Sequence, residues 1–374
     1  MKILLAPDAF KGSLTAFEAA CAIREGLLSA RPDLDVVLHP MADGGEGTLT
    51  VLATVLGGEC MQVDIAGMDG ASMRVPVLQF TAEGQKPAWL IESAQVIGLT
   101  LPAVQSIPVP ERTTSPVGRL IRMGLDEGIH CFYLALGGSA TNDGGIGMLS
   151  ELGMQLHNIR GETLAPSLFV MADVEHIDVS GLDARLSGTE MHLILDVDNP
   201  LLGAQGATLV YGPQKGVAAS DLAPAESSMA CWAQQARAAF ECELAEQSGA
   251  GAAGGLGYAF LLLGATAHRG AAFVAHLSRL EEHVKGCDWV ITGEGRSDVQ
   301  TLRGKVPVVV GDCARHAGIP VCLMAGSIEE AGLFDDSFDE LIQVAPQDMP
   351  RHQAMAEAHD LLAGSAEFFA RRCL

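Results

Sequence analysis

The chain reads as an α/β protein of two domains, one of them an open parallel sheet built from both chain ends with the middle inserted as the other. Three observations predict this. Both termini alternate short apolar runs with helical stretches, the texture of βαβ units. Neither end has enough strands for a stable sheet alone, so the two must join. Between them, the pattern changes to the residue-by-residue alternation of antiparallel strands. The boundaries fall near residues 60 and 270, giving 1–60 with 270–374 as one domain and 61–269 as the insert.

The elements follow in order. "KILLAP" is a buried strand, and Thr15-x-x-Glu18 is a capping box opening a helix to about Ala30. "DVVLHP" is the next strand, and "MADGGEGT" leads into a short helix. "MRVPVLQF" and "PAWLIES", separated by glycine, alternate as antiparallel strands do. Pro116 after Thr114 and Ser115 starts a helix to about Glu127. "FYLAL" and "MHLILDV" are strands, and a long helix fills roughly 220–247, ended by "GAGAAGGLG". The strand "DWVIT", a helix to about Ala317, the strand "IPVCLMAG" and one helix over about 350–372 complete the chain.

Composition removes several classes of function. The formal charge is -23, which argues against nucleic acid or an anionic membrane as partner. The nine cysteines are scattered, with no C-x-x-C, and read as reduced thiols of a cytoplasmic protein. "MKILLAPDAF" is too short an apolar run for a signal peptide, and no stretch suits a membrane span. The 11 histidines never show i, i+4 ligand spacing and are taken as ordinary residues.

The chemistry sits in the loops. "APDAFKGSL", "PMADGGEGT", "GGSATNDGG", "DVDNPLLGAQGA", "GPQKG" and "ITGEGRSDVQTLRGK" each follow an apolar run and hold carboxylates, amides or a cation among small residues. Open parallel sheets bind ligands beyond the carboxyl ends of their strands, and glycines there let backbone N–H groups approach an anion. Asp8, Asp43, Asp143, Asp196, Asp198, Glu294 and Asp298 are hard oxygen ligands of the kind Mg²⁺ takes. Lys11, Lys215, Arg296 and Lys305 supply positive charge in an acidic protein. Together these are the parts of phosphoryl transfer. Each has a plainer reading as a turn or cap; G-x-x-x-x-G-K-[ST] is absent, and "GEGRSD" lacks the third glycine of G-x-G-x-x-G. The residues alone reach metal-assisted chemistry on a small, phosphorylated ligand.

In series, "APDAFKGSLTA", "MADGGEGT", "LGGSATNDGGIGML", "DVDNPLLGAQGAT", "GPQKG", "GAAGGLG" and "ITGEGRSDVQTLRGK" resemble the bacterial glycerate kinase family over essentially the whole chain. Ala9 and Val299 stand where that family often has serine. The resemblance implies a flavodoxin-like domain with a second α/β domain inserted and an active site in the cleft between them. It implies ATP- and Mg²⁺-dependent phosphorylation of D-glycerate to 2-phosphoglycerate, with a homo-oligomer possible. On that basis Asp8, Lys11, Asp43, Asp196 and Asn199 are expected to be catalytic, with Lys11 gripping the substrate carboxylate and Asp196 orienting or deprotonating the acceptor hydroxyl. Gly137, Gly138, Ser139, Thr141, Asn142, Lys215 and Arg296 are expected to bind substrate or phosphate. Asp143, Glu294 and Asp298 are expected to hold the metal. A kinase for another small hydroxy acid or polyol, or a non-catalytic hydroxy-acid sensor, are the rival readings.

Overall fold

A computed structural model describes residues 1–374 except Glu83 and Gln85. The chain forms two compact units, Met1–Gly57 with Arg269–Leu374, and Gly58–His268. The N-terminal segment supplies strands β1 (Lys2–Leu5) and β2 (Asp35–Leu38). The middle supplies β3 (Glu59–Ala66), β4 (Ser72–Ala82), β5 (Lys86–Glu92), β6 (Cys131–Ala135), β7 (Gln155–His157), β8 (His176–Asp178), β9 (Glu190–Leu195) and β10 (Thr266–Arg269). The C-terminal segment supplies β11 (Trp289–Ser297), β12 (Val321–Ile328) and β13 (Glu340–Gln343).

In the first unit the order is β2-β1-β11-β12-β13, and every neighbouring pair is parallel. Counted within the unit this is 2-1-3-4-5, the flavodoxin-like order, whose switch point lies between the first and third strands. Here those strands are β1 and β11. The sheet is covered on one face by the helices Ala16–Ala30 and Ala358–Cys373, which bury Ile23, Leu27, Leu362 and Phe369 against Ile3, Leu5 and Ile291. The first of these helices opens on the expected capping box. Thr15 accepts from the Glu18 N–H, and Glu18 accepts from the Thr15 N–H.

The second unit carries a six-stranded sheet ordered β10-β9-β6-β5-β4-β3. β3, β4 and β5 run antiparallel in turn, while β5, β6 and β9 are mutually parallel. Trp89, Phe132, Leu134 and Leu193 point from this sheet into a core shared with Leu120, Ile121, Leu256 and Phe260. β7 and β8 form a separate antiparallel pair.

Three expectations are corrected. β11 runs to Ser297 instead of stopping at "DWVIT", because Arg296 and Ser297 still pair with Ser327 and Ile328 of β12. The helix expected over 220–247 ends at Phe240, where Glu241 turns left-handed at φ 53. The residues after it are spent on tertiary bonds: the Leu201 N–H donates to the Ala245 carbonyl and the Gly251 N–H to the Asn199 carbonyl. "GAGAAGGLG" therefore begins the helix Ala252–Leu262 instead of closing the previous one. The last helix is two, Arg351–Ala356 and Ala358–Cys373.

Candidate active site

The first unit concentrates its polar groups at the switch point. Past the end of β1 the chain stays between both neighbouring strands: the Asp8 N–H donates to the Gly293 carbonyl, and the Met41 N–H donates to the Pro7 carbonyl. Asp8 is thereby held near Asp43, beyond β2, and Glu294, on β11. All three line a cavity of about 500 Å³ with Lys11, Arg296 and Asp298. Asp8, Asp43 and Glu294 are each at least nine-tenths buried. Burial, then the charge of Asp43, pushes the Asp8 carboxyl well above the usual carboxylate range, against the pull of Lys11 and the Ala9 N–H. Burial also raises Glu294, although Thr301 and Ser297 donate to its Oε1 at 2.6 and 2.9 Å. Those two hydroxyls fix the Glu294 carboxylate in one orientation. Lys11 Nζ lies 3.6 Å from the Asp43 carboxylate and is largely exposed. Arg296 bonds Glu329 at 2.7 Å and lies 3.5 Å from Asp298.

In the second unit the glycine-rich turn Gly137–Gly145 follows β6, flanked by the carboxyl ends of β5 and β9. Gly138 is exposed, with φ +74. Ser139, Thr141 and Asn142 are buried. The Lys215 ammonium is buried beside them, donating to the Thr141 carbonyl at 2.7 Å and reaching Ser139 Oγ at 3.3 Å. Burial lowers its pKa to about 7, with Asp143 opposing the shift and Arg112 adding to it. The Thr141 hydroxyl and the Asn142 carbonyl oxygen are buried without a hydrogen-bond partner, while the Asn142 amide donates to Thr208. Asp196, just past β9, is exposed. Asn199 is tied down, accepting from the Tyr211 hydroxyl at 2.6 Å and donating to the Gln205 carbonyl at 2.7 Å. The Tyr211 phenol is pushed up to about 12 by burial and by Asp196 and Asp198.

Asp143, expected to hold the metal, is hydrogen-bonded within its own turn and to Thr114. It is fully buried, and its oxygens accept from the Thr114 N–H and hydroxyl and from the N–H groups of Gly145 and Gly147. Three of these donors meet Oδ2 and one meets Oδ1, so this carboxylate closes the turn and joins it to the helix Ser115–Asp126. Among the described residues, the one group of three His, Cys, Asp or Glu donor atoms within 4.8 Å of one another is Cys131, Glu190 and His192.

Residues outside the expected set also shape the turn. Ala253, Gly254 and Gly255 form a left-handed stretch whose Gly254 carbonyl accepts from the Gly144 N–H. A Cβ on Gly254 would sit 2.0 Å from the Thr141 carbonyl oxygen, so only glycine permits this approach. Glu92, ending β5, is a buried carboxylate beside the same turn, and its neighbour Ser93 donates to the Gly137 carbonyl. "GAAGGLG" was visible in sequence as a glycine cluster, but nothing local marked Glu92.

The family model described as the glycerate kinase family matches residues 3–374. The chain belongs to the glycerate kinase family. It is a kinase that phosphorylates an alcohol group. It is 38% identical to the glycerate kinase of Bacillus subtilis strain 168, an alignment covering 98% of this chain and 96% of that protein. It is 37% identical to the glycerate 2-kinase of Escherichia coli K12, covering 88% of this chain and 86% of that one. A crystal structure of a provisionally named glycerate kinase 2 from Salmonella typhimurium LT2 superposes with a TM-score of 0.82 at 35% identity, covering 99% of this chain and 97% of the other. As a member of this glycerate kinase family the chain has the discontinuous flavodoxin-like unit and the inserted α/β unit. No helix among the described residues is long and apolar enough to cross a membrane.

Proposed function

We propose that this kinase transfers the γ-phosphoryl group of ATP to the C2 hydroxyl of D-glycerate, giving 2-phosphoglycerate. The observation that carries the reading is the trio of buried carboxylates, Asp8, Asp43 and Glu294, in the switch-point cavity beside Lys11. Family membership supplies the phosphoryl-transfer chemistry. The cavity volume of about 500 Å³ admits a three-carbon acid with room to spare.

The donor set suits Mg²⁺. It is all oxygen, and crowded buried carboxylates such as Asp8 are relieved by a hard divalent cation. Asp43, Glu294 and Asp298 would hold it, mostly through water, which agrees with the reluctance of Mg²⁺ to lose its hydration. When bound, it would offset charge on the transferring phosphoryl group. Asp8 takes the proton of the acceptor hydroxyl, because its raised pKa brings it nearer the working pH of a general base. Lys11 grips the glycerate carboxylate. Arg296, aimed by Glu329 and Asp298, supplies positive charge to the phosphoryl oxygens.

In the second unit, Gly137, Gly138, Ser139, Thr141 and Asn142 form a phosphate-facing turn. Lys215 stiffens that turn through the Thr141 carbonyl and gives it a cation whose charge a bound phosphate would restore. Asp196 and Asn199 are a second polar group at a strand end, suited to metal-bound nucleotide. Asp143 acts as a positioning residue. Phosphorus NMR of the product formed from D-glycerate, ATP and Mg²⁺ tests the reading. Coupling of phosphorus to the single C2 proton is expected. ATP consumption that ignores D-glycerate, or coupling to the C3 protons, overturns it.

A further inference from the structure

The amino ends of β6 and β9 carry side chains that phosphoryl transfer does not use. Cys131 opens β6, Glu190 opens β9, and the parallel register sets them opposite each other. Two residues on, the same register pairs Tyr133 with His192. Side chains alternate along a strand, so these four share one face. Cys131 Sγ, a Glu190 carboxylate oxygen and a His192 ring nitrogen all lie within 4.8 Å of one another. His192 Nδ1 is 3.1 Å from Nε2 of His268 on the neighbouring β10. Tyr133 stacks on the His192 ring with centroids 4.7 Å apart and holds its plane. Cys131 is buried, both histidines are half-buried and Glu190 is exposed, so the group is sheltered but reachable from solvent.

We propose that Cys131, Glu190 and His192 form a Zn²⁺ site, with His268 orienting His192 through its Nδ1. A thiolate, an imidazole and a carboxylate are the donors this borderline-soft ion takes, and three protein ligands leave a fourth position for water. Bonds of about 2.0–2.3 Å in a tetrahedron place neighbouring ligand atoms roughly 3.3–3.8 Å apart. Donor atoms already within 4.8 Å reach that spacing by side-chain adjustment alone. The hydrogen bond from the second ring nitrogen to His268 is the outer support that metal-bound histidines require. Lys86, an exposed side chain, now pairs with Glu190 and swings away or keeps the second carboxylate oxygen. Mg²⁺ would not choose this site, since it avoids sulfur. The ion would tie β6 to β9 at the strand ends opposite the glycine-rich turn.

The test uses the full chain, reduced and stripped of metal by chelator, with Co²⁺ as the spectroscopic probe. One equivalent is expected to bind with a thiolate-to-cobalt charge-transfer band that Zn²⁺ bleaches. Cys131→Ser should abolish the band, while Cys60→Ser, at an exposed cysteine, should leave it intact. His192→Gln and Glu190→Gln should each weaken Co²⁺ binding at least about tenfold, and His268→Gln by a similar factor. Absence of any thiolate band in the wild-type protein overturns the proposal, as does a band that survives Cys131→Ser. If Cys131→Ser does not fold, Glu190→Gln decides, because its surface position leaves the fold intact; unchanged affinity there also overturns the site. None of these readouts depends on kinase turnover, so failure here leaves the proposed activity untouched.

Discussion

Asp8 pays for its position. Its carboxyl is raised by burial and by Asp43, so the native state holds the proton more tightly than the unfolded chain does. Its contribution to stability is complete below the unfolded pKa and is lost as pH rises through the folded one. At neutral pH, Asp8→Asn should therefore melt at a higher temperature than wild type while kcat falls by about 10²–10⁴. A variant that is both destabilised and active would refute the role. Lys215 runs the other way. Its pKa is lowered to about 7, so between that value and 10.5 the unfolded chain binds the extra proton and stability rises with pH. Lys215→Met should flatten that rise, as urea midpoints near pH 6.5 and 9 would show. Gly138 tests the turn itself. At φ +74 any β-branched residue is strained, so valine would confuse folding with binding. Asparagine tolerates this region. We expect Gly138→Asn to keep its melting temperature within a few degrees and to raise the KM for ATP or glycerate about fivefold or more.

At the scale of elements, the turn after β6 is built by segments far from it in sequence. Asp143 gathers four donors, and the Ala253–Gly255 stretch backs the turn. Asp143→Ala would strand those donors in a buried place and should cost about 3 kcal/mol or more, read from denaturant unfolding. Gly254→Ala should cost about as much, since its Cβ would meet the Thr141 carbonyl at 2.0 Å in a left-handed conformation. A loss below about 1 kcal/mol in either would mean the turn yields easily. These elements also mark where sequence reading succeeds. The capping box at Thr15 and Glu18 was legible because both partners lie within one turn of helix. The end of the helix Leu222–Phe240 was not, because it is set by bonds from Ala245 and Asn199 to residues far along the chain. The "GGSATNDGG" turn could be found by composition. That Asp143 would hold it closed depended on Thr114, which only folding brings near.

At the scale of the whole molecule, the kinase reading predicts dependence on divalent cation. Excess EDTA should abolish D-glycerate-dependent ATP turnover, and Mg²⁺ should restore it; full activity with metal-free nucleotide would rule the requirement out. Asp196→Asn should lower kcat at least about tenfold at low Mg²⁺ and recover in part as Mg²⁺ rises, whereas Asp8→Asn should not recover. The sequence by itself determined the α/β class, the sheet assembled from both chain ends and the family, because strand periodicity and a series of local motifs are written residue by residue. It also marked Asp8, Lys11, Asp43 and Glu294 as polar residues in small-residue loops. Only the tertiary structure decided which of them meet. The 2-1-3-4-5 strand order brings residue 8 beside residue 294, and that proximity raises the Asp8 carboxyl. The same holds for Cys131, Glu190 and His192, ordinary in the chain and adjacent through the register of β6 and β9. Local sequence encodes propensity, whereas burial, charge coupling and ligand geometry depend on distances that exist only after strands pair.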